Sequence, residues 1–148
     1  MDVGFTGTRF GMSRKQKETV LCILRTLNVD AFHHGDCVGA DMDAATIAKN
    51  EGLYVVSHPP IDEGDRAFAE SDEVRDPMTM LKRNRCIVDS SALLIATPTT
   101  DRETPRSGTW YTIRYALKVG RPVRIVSPSG KLVTEEDDIN SLLLKGAW

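Results

Sequence analysis

Four segments of the chain carry residue types able to hold an anionic ligand. The first is residues 4–11 (GFTGTRFG). Gly7 lets the backbone turn tightly, Thr8 offers a hydroxyl, and Arg9 offers a planar fork for phosphate or carboxylate. The second is residues 33–41 (HHGDCVGAD), where Gly35 and Gly39 permit close backbone approach and Asp36 or Asp41 could bind a sugar hydroxyl. The third is Arg83-Asn84-Arg85, two guanidinium groups and an amide. The fourth is Ser107-Gly108-Thr109, which opens a predicted helix and so presents free N–H groups to an anion. Each has a plain structural reading too. Arg9 and the Arg83/Arg85 pair could be solvated, and Asp41 and Ser107 could be helix caps.

Bond cleavage would need an acid or base, and the candidates are Asp36, Asp41 and His58, with the acids Asp62, Glu63 and Asp65. His58 follows a strand beside two prolines, and it is equally a polar strand end. No metal site is expected. Adjacent residues of a strand point to opposite faces, so His33 and His34 do not readily share one ion.

These segments need a frame that gathers them. Short apolar runs at Val3–Thr6, Ala31–His34, Leu53–Ser57, Ala92–Ala96 and Pro122–Val126 read as strands. Helices are predicted between them. One starts at the capping box Ser13/Gln16 and carries Val20, Ile23, Leu24 and Leu27 on one face. The others cover 40–51, about 79–89 and 108–119, with Gly52 and Gly120 as stops. Residues 61–77 are acidic and aperiodic, as a lid or binding loop would be. The strands are apolar throughout rather than alternating, as buried parallel strands are. Right-handed crossovers then give a Rossmann-like three-layer α/β/α domain. Its five-stranded, mainly parallel sheet has the expected order 3-2-1-4-5. Ligands of such sheets bind beyond the carboxyl ends of the strands, where the order reverses.

Composition narrows the function classes. The 148 residues fit one domain, with a core at about 1–128 and a tail at 129–148. The net charge of −2 gives no global basic field for a nucleic-acid backbone. Three cysteines without a CxxC pair suit a reducing, cytoplasmic setting. The N-terminus lacks the pattern of a signal peptide, and no apolar run is long enough to cross a bilayer.

Taken in register, Thr6-Gly7-Thr8-Arg9, residues 35–41, Arg83-Asn84-Arg85-Ile87, Ser107-Gly108-Thr109 and Gly120-Arg121-Pro122 resemble the SLOG superfamily. That group includes the Rossmann domain of DNA-processing protein A and the lonely-guy phosphoribohydrolases. The resemblance spans about residues 3 to 128. It implies a nucleotide, a nucleotide-derived signal or single-stranded DNA as ligand, no cofactor, and a homodimer. The phosphoribohydrolases carry a Pro-Gly-Gly-x-Gly-Thr-x-x-Glu motif with a catalytic Glu. Here Thr112 stands at the Glu position, and Pro105-Arg106 stands where two glycines would be.

Three functions are therefore open. The leading one is a sensor or sequestering module for a nucleotide-like small molecule. The second is a hydrolase of a nucleotide N-glycosidic bond. The third is a single-stranded nucleic-acid binder, for which Arg83, Arg85, Arg102 and Arg106 are the only basic cluster.

Overall fold

The computed structural model describes residues 1–146. Strand β1 (Asp2–Gly7) sits at the centre of the sheet, flanked in parallel by β2 (Ala31–His34) and β5 (Leu93–Thr97). Outward from these lie β3 (Tyr54–Ser57) and β6 (Val123–Val126), also parallel. Helices α1 (Arg14–Thr26), α2 (Ala40–Asn50), α3 (Met80–Asp89) and α4 (Gly108–Lys118) make the connections. The expected strand order is present, as β3-β2-β1-β5-β6.

The sheet has seven strands rather than five. β4 (Glu73–Val74) extends one edge in parallel, and β7 (Leu132–Val133) extends the other antiparallel. Both have two residues, too few to show any periodicity. β7 returns through a turn at Gly130, whose φ is +85°. The tail also forms α5 (Glu136–Asn140). Its Ile139 is buried and packs with Leu142 and Leu143 into the core beside α4. The terminal Trp148, part of the same apolar tail, lies outside the described residues.

Each face of the sheet has its own core, because inward residues alternate along the strands. Phe5, Phe32, Val55 and Ile95 pack under α1 and α2. Leu94, Ala96, Val123 and Ile125 pack with Trp110, Ile113 and Ala116 of α4. The capping box at Ser13 forms in full, with Gln16 N–H donating to Ser13 Oγ at 3.1 Å and Ser13 N–H to Gln16 Oε1 at 2.9 Å. Gln16 Nε2 also donates to the carbonyls of Pro98 and Val126 at 2.8 and 3.0 Å. One side chain thus starts α1 and ties it to the ends of β5 and β6. No helix among the described residues is long and apolar enough to cross a membrane.

Candidate functional site

A cavity of about 390 Å³ opens beyond the carboxyl ends of β1 and β5, at the reversal of strand order. Thr6, Gly7, Thr8, Arg9 and Phe10 line it from the first turn, and Gly35, Cys37, Val38 and Asp41 from the second. Asn84 and Met80 border it from α3, and Pro105 to Thr109 from the start of α4. The connections after three strands meet here because parallel strands all end on one side.

The first turn admits no side chain at Gly7, where a Cβ would stand 2.5 Å from Ala40 Cβ and 2.6 Å from Thr97 Oγ1. Gly39 is equally constrained. Its φ is +96°, and a Cβ there would come within 2.3 Å of the Arg9 carbonyl oxygen. Ala40 N–H donates to the Thr8 carbonyl at 2.9 Å, so the start of α2 is fixed against the first turn. Gly39 serves this crossing of two backbones and does not itself line the cavity.

Thr8 Oγ1 and Thr97 Oγ1 are buried without a hydrogen-bond partner. Thr8 itself belongs to the cavity wall, and an unmade hydrogen bond costs about 1–3 kcal/mol. Opposite, Ser107 Oγ caps α4 by accepting from Trp110 N–H at 3.2 Å. The remaining N–H groups of that first turn have no partner inside the helix. Gly108 leaves room beside them, the nearest atom to a notional Cβ being Met80 Sδ at 3.9 Å.

Asp41 is the cavity's buried carboxyl. Burial pushes it up to about 6, against the pull of the Arg83 guanidinium and the Cys37 N–H. That N–H donates to Asp41 Oδ2 at 3.2 Å. Burial also raises the Cys37 thiol, against the same guanidinium.

Several residues of ligand-binding type have protein partners instead. Asp36 is fully buried at φ +53° and does not line the cavity. Its carboxylate accepts from Arg66 Nε at 2.7 Å and from Ala69 N–H at 2.9 Å. It therefore holds the acidic segment in place. Arg83 lines the cavity, but its guanidinium is occupied. Nε donates to Asn84 Oδ1 at 2.7 Å, Nη1 to the Gly35 and His58 carbonyls, and Nη2 to Cys37 Sγ at 3.5 Å. Arg85 is exposed on α3 outside the cavity.

His58 lies elsewhere too. It borders a smaller cavity with Arg75 and Cys86. His33 Nδ1 and His58 Nε2 share a hydrogen bond of 2.9 Å, and His33 Nε2 meets Asp2 Oδ2 at 3.0 Å. His34 takes the other face, bonded to Asp36 N–H and Ser57 Oγ. Thr112 is buried within α4 and returns its hydroxyl to the Gly108 carbonyl at 2.8 Å.

The acidic segment is anchored along its length. Besides the Asp36 contacts, Arg75 N–H donates to Ser57 O and Asp72 N–H to Val55 O, both at 2.9 Å. Its 3-10 turn (Glu63–Asp65) brings Asp65 to the cavity, where it pairs with Arg9. Phe10, Val38 and Met80 at the mouth have no counterpart among the expected site residues. The sequence signal at Phe10 was an aromatic side chain set in a polar turn.

No protein-family model matches the sequence, and no curated protein matches it. Solved structures do. A molybdenum cofactor binding protein from the phototrophic bacterium Rippkaea orientalis superposes with a TM-score of 0.66 at 20% identity, covering 84% of this chain and 75% of that one. DNA processing protein A from Streptococcus pneumoniae gives 0.64 at 20% identity, with 84% of this chain and 49% of that chain covered. The chain thus spans about half the length of that protein. DNA processing protein A from Helicobacter pylori, described for its single-stranded DNA binding mode, gives 0.60 at 20% identity, with 84% and 64% covered. The chain shares the Rossmann-like fold of these proteins, among them DNA processing protein A, whose group its motifs resemble.

Proposed function

We propose that this chain binds a nucleotide or nucleotide-derived ligand in the cavity between the first turn and the start of α4, as a sensor or sequestering module. The observation that carries the reading is a cavity of about 390 Å³ lined by the Thr8-Arg9 turn and closed by the N-terminal turn of α4. Thr8, Arg9, Gly108 and Thr109 hold the phosphate, and Asp41 faces the sugar. The volume is in the range of small-molecule sites. The fold neighbours are named for binding a molybdenum cofactor and single-stranded DNA. A strand binder is less well supported. Of the four arginines, Arg83 is occupied, Arg85 is outside the cavity and Arg102 donates to the Ser141 carbonyl at 2.8 Å, which leaves Arg106 alone on the cavity wall.

The test is a panel of nucleoside mono-, di- and triphosphates, NAD, ADP-ribose and cyclic nucleotides. Thermal shift and product chromatography are run in parallel. A ligand at 100 times its Kd stabilises by about 2.7 kcal/mol. A shift with intact ligand, lost in Arg9→Ala, supports the reading. No shift with any member of the panel removes it.

A second reading is hydrolysis, and Asp41 favours it. A buried carboxyl held near 6 in the cavity is poised as a general acid or base. Thr112 does not border the cavity and has no acidic group, so the phosphoribohydrolase Glu has no equivalent there. Release of base or sugar phosphate, abolished in Asp41→Asn at saturating ligand with the fold intact, would establish this reading.

A further inference from the structure

The cavity has two chemically different ends. The inner end carries Thr8 and the start of α4. The mouth carries three apolar side chains from three separate elements: Phe10, Val38 and Met80. All three are well exposed, Phe10 most of all at 85%. A free phenyl ring gains by folding back onto apolar neighbours. Phe10 does not do so, and the backbone of its turn is fixed. Gly11 N–H donates to the Thr8 carbonyl at 3.2 Å, and Gly11 itself sits at φ +88°. Met12 N–H then donates to Asp43 Oδ2 at 3.0 Å, which pins the turn to α2. The ring stands in solvent at the cavity's edge.

We infer that Phe10 is a stacking platform for the flat ring of the ligand, which binds with its aromatic base at the mouth and its phosphate inside. This rests on the nucleotide reading above and deepens it. Stacking on an exposed aromatic face tolerates any base, because every base has a π-face. Met80 Sδ, beside Gly108, continues the apolar side toward the phosphate end. The cavity therefore selects for a heteroaromatic ring joined to phosphate and against a sugar phosphate lacking the ring.

The experiment measures Kd for AMP, GMP, CMP and UMP, and for inorganic pyrophosphate, by calorimetry on wild type, Phe10→Ala, Phe10→Leu and Phe10→Trp. Phe10→Ala and Phe10→Leu are expected to weaken the best nucleotide about tenfold. Pyrophosphate affinity stays within about twofold, and Phe10→Trp keeps nucleotide affinity. Leucine retains apolar area without a ring face, so full nucleotide affinity in Phe10→Leu overturns the stacking role. Equal losses for nucleotide and pyrophosphate overturn it as well. So does a change confined to oligomeric state in size-exclusion chromatography, which would make Phe10 a contact between copies. Wild type binding neither pyrophosphate nor any nucleotide would instead defeat the underlying nucleotide reading.

Discussion

Arg9 and Asp65 form an ion pair in the lining of the cavity, one from the turn after β1 and the other from the acidic segment. Arg9 is the cation of the first turn, so an incoming anion must take this guanidinium from Asp65. Exposed pairs contribute about 0.2–1 kcal/mol, so the exchange is easy but not free. Asp65→Asn should therefore tighten pyrophosphate binding about two- to fivefold at low salt. The gain should shrink as salt rises. Asp65 N–H and carbonyl remain bonded to Asp62 and Val38, so the fold is unaffected. Weaker binding in this variant would mean that Asp65 orients Arg9 rather than competing for it.

The pair Asp36–Arg66 is of a different kind. Its carboxylate is fully buried and its guanidinium is mostly so. Arg66 also lies 4.4 Å over the Phe68 ring. Removing one partner of a buried pair strands a charge, at a cost of about 3–5 kcal/mol. Arg66→Ala should lower stability by about that amount in urea titration, and should open residues 66–72 to proteolysis first. Asp36→Asn with Arg66→Met should recover most of the loss, since no charge is then stranded. Asparagine also tolerates the left-handed backbone at this position. A double variant as unstable as the single one would show that the charges themselves hold the segment.

Acid should unfold the protein in a defined window. Burial holds His34 down at about 4 and His58 at about 3, both from 6.5. The unfolded chain takes these protons near 6.5 and the folded chain does not. Their contribution is full above 6.5 and is lost as pH falls. Asp41 acts in the opposite sense, because its folded value of about 6 lies above its usual 3.8. Its contribution is full below 3.8 and is lost as pH rises through 6. Two histidines against one carboxyl leave a net fall of about 1.4 kcal/mol per pH unit between 6 and 4. Chemical denaturation at half-unit pH steps measures the slope, and a flat profile would contradict the burial of both imidazoles.

Much of this architecture was legible in the sequence because it is repetitive. Each central strand is a short apolar run followed by a helix, and Gly52 and Gly120 stop their helices at φ +75° and +74°. The edge strands were not legible, since Glu73-Val74 and Leu132-Val133 are too short to show a pattern. The place of the cavity followed from the strand order. The allocation of its polar groups did not. Asp36 and Arg83 have the chemistry of ligand contacts, but Arg66 and the Gly35 carbonyl are chemically equivalent partners, brought close only by folding. Phe10 is the converse case, because nothing in its sequence neighbourhood shows that it stands exposed at the cavity. An isolated aromatic reads as core, and its exposure is a property of the folded chain.

Asp41 offers the sharpest test of the cavity's electrostatics. Above pH 6 the folded protein holds it as a buried carboxylate, which its raised value marks as unfavourable. Each unit of the shift corresponds to about 1.4 kcal/mol. Asp41→Asn removes the charge and keeps an acceptor for the Cys37 N–H, though it loses one of the two carboxylate oxygens. The net expectation is a gain of about 1–2 kcal/mol at pH 8, after allowing about 1 kcal/mol for a lost hydrogen bond. At pH 4 the wild-type carboxyl is already protonated, so the gain should vanish. The variant should also fall more steeply between pH 6 and 4, because the opposing carboxyl is gone and both histidines remain. A variant destabilised equally at pH 8 and pH 4 would show that Asp41 holds the turn through its hydrogen bonds alone. The cavity would then contain no charge poised for chemistry.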